Sequence, residues 1–136
     1  MTKTLDKEVI IAEKAPKALG PYSAGIRVGQ LIFCSGQAGI VRATGELAPG
    51  GIEAETRQVL QNLKNVLESA GTDLNHVVKT TVFLRDMNDF SKMNTIYGEF
   101  FTEKPPARST VAVVGLPKGA IVEIDAIAVS AQAGGD

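Results

Sequence analysis

Ile121-Val122-Glu123-Ile124-Asp125-Ala126-Ile127-Ala128-Val129 is a short apolar run rich in β-branched residues, the pattern of a strand. Strand side chains alternate, which puts Ile121, Glu123, Asp125, Ile127 and Val129 on one face and Val122, Ile124, Ala126 and Ala128 on the other. Both faces are largely apolar, so both need cover. Val77 to Leu84 and Thr110 to Val114 carry the same mixture. Further strands are expected at Glu8 to Ala12, Ala24 to Val28, Leu31 to Ser35 and His76 to Leu84, with Val28-Gly29-Gln30-Leu31 as a tight hairpin turn. The glycine-rich segment from Gly36 to Gly51 reads as a loop or irregular hairpin.

Two stretches have helical periodicity. From Glu53 to Ala70, Val59, Leu60, Leu63, Val66, Leu67 and Ala70 recur at intervals of three and four, with Glu53 and Glu55 at the positive end of the dipole and Gly71 to close it. From about Asn88 to Phe101 the stripe is Phe90, Met93, Ile96, Tyr97, Phe100 and Phe101, with Asp86 or Asn88 as cap and Pro105-Pro106 as the stop. Two helices cover one face of such a sheet. The other face calls for a second copy of the chain, or for a sheet that closes on itself as a barrel, which leaves the helices without an obvious seat. A homo-oligomer is the favoured expectation.

The chain has 136 residues, enough for a single domain spanning 1–136, with the small, glycine-rich tail 131–136 expected to fray. Hydrophobic residues make up 44% and charged residues 21%, which places it among chains that bury a core. With one cysteine and one histidine, Cys34 and His76, neither an intrachain disulfide nor a zinc site of several Cys and His can form. The net charge is −1 and the basic residues are scattered, so no nucleic-acid partner is expected. No membrane span, signal peptide or transit pattern is apparent, and a cytoplasmic location is the default. A Walker phosphate loop and a serine-hydrolase elbow are both missing.

A few residues sit where their chemistry is costly or well aimed. Arg108 follows Pro105-Pro106-Ala107 at the mouth of a strand, where a guanidinium can fork onto a carboxylate; the plain alternative is a surface arginine. Glu123 lies inside the most apolar strand and must be paired, bound to a ligand or water, or raised in pKa. A structural ion pair with Lys79 or Arg108 is the competing reading. If the last two strands pair, Arg108 and Glu123 approach one another and combine a cation that holds an acid with a carboxylate that handles protons. Asn94 falls on or next to the apolar stripe of the second helix, where a buried amide needs a loop or a bound molecule as partner. Ser35-Gly36 ends a strand and permits close approach of a ligand, and Tyr22 follows Gly20-Pro21 in a loop that either closes over a pocket or packs. His76 reads as a strand-edge residue, and Cys34 as a buried small hydrophobe rather than a nucleophile.

Gly20-Pro21-Tyr22-Ser23, Phe33-Cys34-Ser35-Gly36-Gln37, Asn94-Thr95-Ile96-Tyr97, Pro106-Ala107-Arg108-Ser109 and Leu116-Pro117-Lys118-Gly119 followed by Val122 to Val129 resemble the reactive-intermediate deaminase (Rid, or YjgF) family, in the same order and over about Glu8 to Val129. The resemblance implies a chorismate-mutase-like α+β fold: a mixed six-stranded sheet with two helices on one face, three copies of which form a central barrel with clefts between subunits. It implies cofactor-independent hydrolysis of 2-imino acids or their enamines, such as 2-iminobutanoate and 2-iminopropanoate, to 2-keto acids and ammonia, which protects pyridoxal-phosphate enzymes. By the same resemblance Arg108 clamps the substrate carboxylate and Glu123 activates water, with Tyr22, Ser35, Gly36 and Asn94 lining the cleft. Thr110 stands where many of these deaminases carry a cysteine, so its hydroxyl would face the substrate, and Asp125 takes a structural role. A non-catalytic trimer that binds small carboxylic acids or partner proteins is the alternative. Nucleic-acid cleavage is a weaker third reading, disfavoured by the charge.

Overall fold

The computed structural model describes residues 6–131, so the expected fraying beyond Ala131 lies outside the described residues. The strands are β1 (Glu8–Ile10), β2 (Gly25–Val28), β3 (Leu31–Ala38), β4 (Ile40–Val41), β5 (Glu46–Leu47), β6 (Val77–Leu84), β7 (Ala107–Ala112) and β8 (Val122–Val129). The helices are α1 (Ile52–Ser69) and α2 (Phe90–Phe100). Six strands form one sheet in the order β1-β2-β3-β8-β6-β7, and β4 and β5 make a small separate hairpin inside the glycine-rich segment. All pairings in the main sheet are antiparallel except β6 with β7, which α2 links as a parallel crossover. The expected mixed six-stranded sheet with two helices is thus present.

The position of β8 between β3 and β6 accounts for its doubly apolar character. Val122, Ile124, Ala126 and Ala128 are buried toward the helices, where they meet Val59, Leu60, Leu63, Val66 and Leu67 of α1 and Met93 and Tyr97 of α2 in one core. On the opposite face no helix of the described residues lies over the sheet, and Leu31, Phe33 and Val111 keep 41%, 40% and 41% of their surface exposed. Monomeric proteins seldom leave large apolar side chains on an uncovered sheet face.

Local chemistry sets the element ends. Gly71 adopts φ +81° and the Thr72 amide donates to the Leu67 carbonyl at 3.0 Å, which closes α1 as its sequence suggests. The Asp86 carboxylate accepts from the Asn88 amide at 2.9 Å and caps a short 3-10 turn, Met87–Asp89, so α2 proper begins at Phe90 rather than Asn88. Gly29, at φ +58°, makes the tight turn between Val28 and Leu31, which pair directly. The strand expected from Thr110 begins at Ala107, because parallel pairing starts where Lys79 meets Ala107. β3 runs on to Ala38, with a bulge between Cys34 and Gln37 that sets Ser35 and Gly36 opposite Asp125 of β8.

Candidate active site

The bulge prepares the surroundings of Glu123. Two successive residues, Ser35 and Gly36, are free of regular pairing there, and Gly36 lies against the Glu123 carboxyl group. A Cβ on Gly36 would stand 2.8 Å from Cδ and 3.1 Å from Cγ of Glu123, with Oε2 closer still. A side chain at Gly36 is admitted only if the Glu123 carboxylate moves aside. The Ser35 hydroxyl donates to the Ser23 carbonyl at 2.5 Å and its amide donates to the Ala24 carbonyl at 2.9 Å, so Ser35 fastens the preceding loop to the bulge. That loop brings Leu19 and Tyr22 to the edge of a cavity of about 260 Å³, which Gly36, Gln37, Ile40 and Glu123 also line. Tyr22 is half exposed, and its Oη accepts from the Leu19 amide at 3.2 Å.

Glu123 has no hydrogen bond or ion pair among the described residues. Lys79, one expected partner, donates instead to the Thr80 carbonyl at 2.9 Å and reaches Thr81 and Ser109 hydroxyls at 3.4 Å. Burial pushes the Glu123 carboxyl above its ordinary value, and the negative charge of Asp125 adds to the shift. Asp125 is held in place by the Thr81 amide, which donates to its Oδ1 at 3.1 Å, in keeping with the structural role expected of it.

Arg108 belongs to a second site. β7 pairs with β6 and not with β8, so the expected approach of Arg108 to Glu123 along adjacent strands does not occur: β6 runs between them. The register pairs Arg108 with Thr80 and Thr80 with Ala126, on the helix-covered face, whereas Glu123 pairs with Phe83 on the open one. The guanidinium carbon of Arg108 sits 4.7 Å from the Tyr97 ring centroid and 5.5 Å from that of Phe90. No carboxylate or carbonyl takes its N–H groups among the described residues. It opens onto a cleft of about 440 Å³ that Asn94, Tyr97, Gly98, Pro105 and Pro106 line as well.

Asn94 departs from expectation in one respect. It is exposed rather than buried, because Met93, Ile96 and Tyr97 take the core-facing positions and Asn94 falls one step round the helix, beside Arg108. The Thr110 hydroxyl, two residues beyond Arg108, is buried with no hydrogen-bond partner. Cys34 is 5% exposed, and burial, helped by Asp125, pushes its thiol up to about 12, so it packs and does not attack. His76 contacts Asp73 at 2.7 Å in the turn before β6. No group of three metal-ligating side chains exists among the described residues, and no described helix is long and apolar enough to cross a membrane.

The seven residues singled out in the sequence therefore fall into two groups: Tyr22, Gly36 and Glu123 line one cavity, with Ser35 turned away to the Ser23 carbonyl rather than lining it as expected, and Asn94 and Arg108 line the other, with Thr110 two residues further along the strand. Phe90 and Tyr97, read in the sequence only as core, turn out to carry the arginine. Their signal was the register of α2 against a lone cation on the adjoining strand. Leu19, Gln37 and Ile40 had none, since loop and bulge geometry alone brings them to the cavity. Chemically, among the described residues one cavity holds a carboxylate without a cation beside it and the other a guanidinium without a carboxylate.

The endoribonuclease L-PSP family model matches residues 12–130. A RutC family protein of Pyrococcus horikoshii is 54% identical over 122 residues, 90% of this chain and 97% of that protein. A mouse (Mus musculus) protein named 2-iminobutanoate/2-iminopropanoate deaminase is 50% identical over 123 residues, 90% of this chain and 91% of that one. Among solved structures, E. coli TdcF with bound serine superposes with a TM-score of 0.87 at 39% identity, covering 91% of this chain and 99% of that one.

Proposed function

Because the chain belongs to the endoribonuclease L-PSP family, also called YjgF/Rid, we propose that it is a cofactor-independent 2-imino acid deaminase whose sites are completed between copies of the chain in a homotrimer. The observation that carries this reading is the separation of two unspent charges. Glu123 faces the open, apolar side of the sheet without a partner, and Arg108 waits at the edge strand on the other side. Docking a second copy on the open face would cover Leu31, Phe33 and Val111 and bring the arginine cleft of one subunit to the carboxylate cavity of the next. The mammalian relative named as a deaminase and the relative solved with serine, a small amino acid, both support a small carboxylic acid as ligand.

The residues suffice for the chemistry. Arg108 forks onto the substrate carboxylate and fixes C2 beside the cavity. Ionised Glu123 takes a proton from water as the water oxygen bonds to C2 of the iminium, whose π electrons move to nitrogen. Glu123 then passes that proton to the nitrogen of the resulting carbinolamine. The C–N bond breaks as the hydroxyl electrons form the ketone, and the hydroxyl proton leaves with ammonia as ammonium. One iminium acid and one water become one 2-keto acid and one ammonium ion. A raised carboxyl pKa suits a group that must both accept and return a proton.

Hydrolysis of 2-iminobutanoate and 2-iminopropanoate, generated in place by an amino-acid oxidase and followed against a semicarbazide trap, tests the reading with wild type, Arg108→Ala and Glu123→Gln. Wild type should accelerate hydrolysis and each variant should not. Co-expressed, the two inactive variants should recover about a quarter of wild-type activity, the fraction of directed interfaces in randomly mixed rings that unite an intact Arg108 with an intact Glu123. A folded wild type that does nothing would leave a carboxylate-binding trimer. Inactive mixtures would place both residues in one subunit's site.

A further inference from the structure

We infer that Tyr97, anchored through the Thr80 hydroxyl and assisted by Phe90, is a positioning residue that aims the Arg108 guanidinium at the substrate carboxylate. The inference deepens the proposed function and rests on its assignment of Arg108 as the carboxylate clamp.

An arginine that serves as a clamp must be held without spending its donors. Most part-buried arginines are steadied by a carboxylate or carbonyl, as Arg27 is here by Glu8 and by the Ala70 carbonyl. Arg108 has neither. Its guanidinium lies over the Tyr97 ring at 4.7 Å and near Phe90 at 5.5 Å, and ring faces attract a cation while leaving its N–H groups in the guanidinium plane open to an anion. The ring beneath is itself fixed three ways. Thr80 Oγ1 and Tyr97 Oη share a hydrogen bond of 2.7 Å; both residues are buried; and Phe101 packs on the ring with centroids 4.6 Å apart. Thr80 is also the strand neighbour of Arg108 in the parallel register, so one residue sets both the root of the arginine and the height of its platform. Burial raises the Tyr97 phenol while the Thr80 bond and the Arg108 charge oppose it, and the ring stays neutral at physiological pH.

The probe is 2-oxobutanoate, titrated calorimetrically into the intact oligomer of wild type, Arg108→Ala, Tyr97→Leu, Tyr97→Phe, Phe90→Leu and the double variant Tyr97→Leu/Arg108→Ala. Tyr97→Leu should weaken binding about tenfold and Phe90→Leu about threefold, while Tyr97→Phe, which keeps the ring face and loses the Thr80 anchor, should weaken it about threefold, less than Tyr97→Leu. In imine hydrolysis the loss should appear in KM more than in kcat. On the Arg108→Ala background Tyr97→Leu should add nothing, because it acts through the arginine. Wild-type binding by Tyr97→Leu, or an equal loss with and without Arg108, overturns the inference and leaves the clamp assignment standing. Equal binding by wild type and Arg108→Ala removes the clamp assignment and the inference with it. Should Tyr97→Leu fail to fold, Phe90→Leu decides, since Phe90 is only part-buried: wild-type binding there is also a refutation.

Discussion

Gly36→Ala probes the carboxylate half of the proposed site. The backbone of Gly36 is outside the left-handed region, so alanine adopts it without strain, and the substitution acts only through the added methyl. That methyl would lie 2.8 Å from Cδ of Glu123 where ordinary contact begins at 3.4 Å, a shortfall of 3.4 − 2.8 = 0.6 Å, and the nearer Oε2 must retreat further. The neighbour that yields is the end of a side chain bordering a cavity, so the fold accommodates the change with a stability loss of about 1 kcal/mol or less. Catalysis does not accommodate it: displacing a reacting group by roughly 1 Å costs about 10²-fold in rate. The expected result is a folded oligomer with kcat/KM for 2-iminobutanoate hydrolysis down about 100-fold and a much smaller loss of 2-oxobutanoate binding, since the Arg108 clamp itself is untouched. Trap-competition kinetics with calorimetry on the same sample reads both. Full turnover by folded Gly36→Ala would show that Glu123 does not work from this position, and the assignment of the base would have to be abandoned.

Gly39→Ala should behave oppositely: its Cβ would meet the Glu55 backbone oxygen at 2.8 Å and Cα at 3.0 Å, which cannot swing away, so the thermal midpoint should fall by several degrees or more. Glu123 must be ionised to accept a proton, so activity should fall with acid through a pKa above the ordinary glutamate value. Asp125→Asn, which removes a charge that raises it, should move that limb to lower pH in a kcat/KM profile. The same shift has a stability sign. A carboxyl whose folded pKa is raised contributes stability that is complete below the unfolded pKa and lost as pH rises through the folded one, so Glu123→Gln should melt higher than wild type at neutral pH and not at acid pH. Cys34, pushed up to about 12, should resist thiol reagents in the native protein at neutral pH and react once it is unfolded in guanidinium.

Much of the fold is legible because periodicity and turn chemistry agree. Val59 to Ala70 could be little else than one helix face, and an apolar residue at nearly every position of Val122 to Val129 demanded cover on both sides. What misled was pairing. Nothing local in Pro105-Pro106-Ala107-Arg108 says that the next strand joins β6 in parallel rather than β8, and that choice decides whether Arg108 and Glu123 meet within one chain. Glu123 stood out as a charge in an apolar strand and Arg108 as a cation at the mouth of one, whereas the one-step rotation that exposes Asn94 and the ring platform of Tyr97 depend on how α2 seats in the fold. Gly36 is intermediate: the sequence marked it as a place of close approach, and the bulge supplies what approaches.

The order of strands in the sheet differs from the order in which the chain is made. β8 is the last described strand to be synthesised, yet it is the seam between the β1-β2-β3 meander and the β6-α2-β7 crossover. Until it leaves the ribosome, β3 and β6 each present an unpaired edge and α1 has no finished sheet to lie on. Such edges are templates for association with other chains. The nascent protein therefore completes both pieces, by Ala112, before the strand that joins them exists, and the insertion that welds them also delivers Glu123. A chain stalled before that seam should be a substrate for chaperones, and one released beyond it should close its sheet and seat the Glu123 carboxylate at its cavity in the same event.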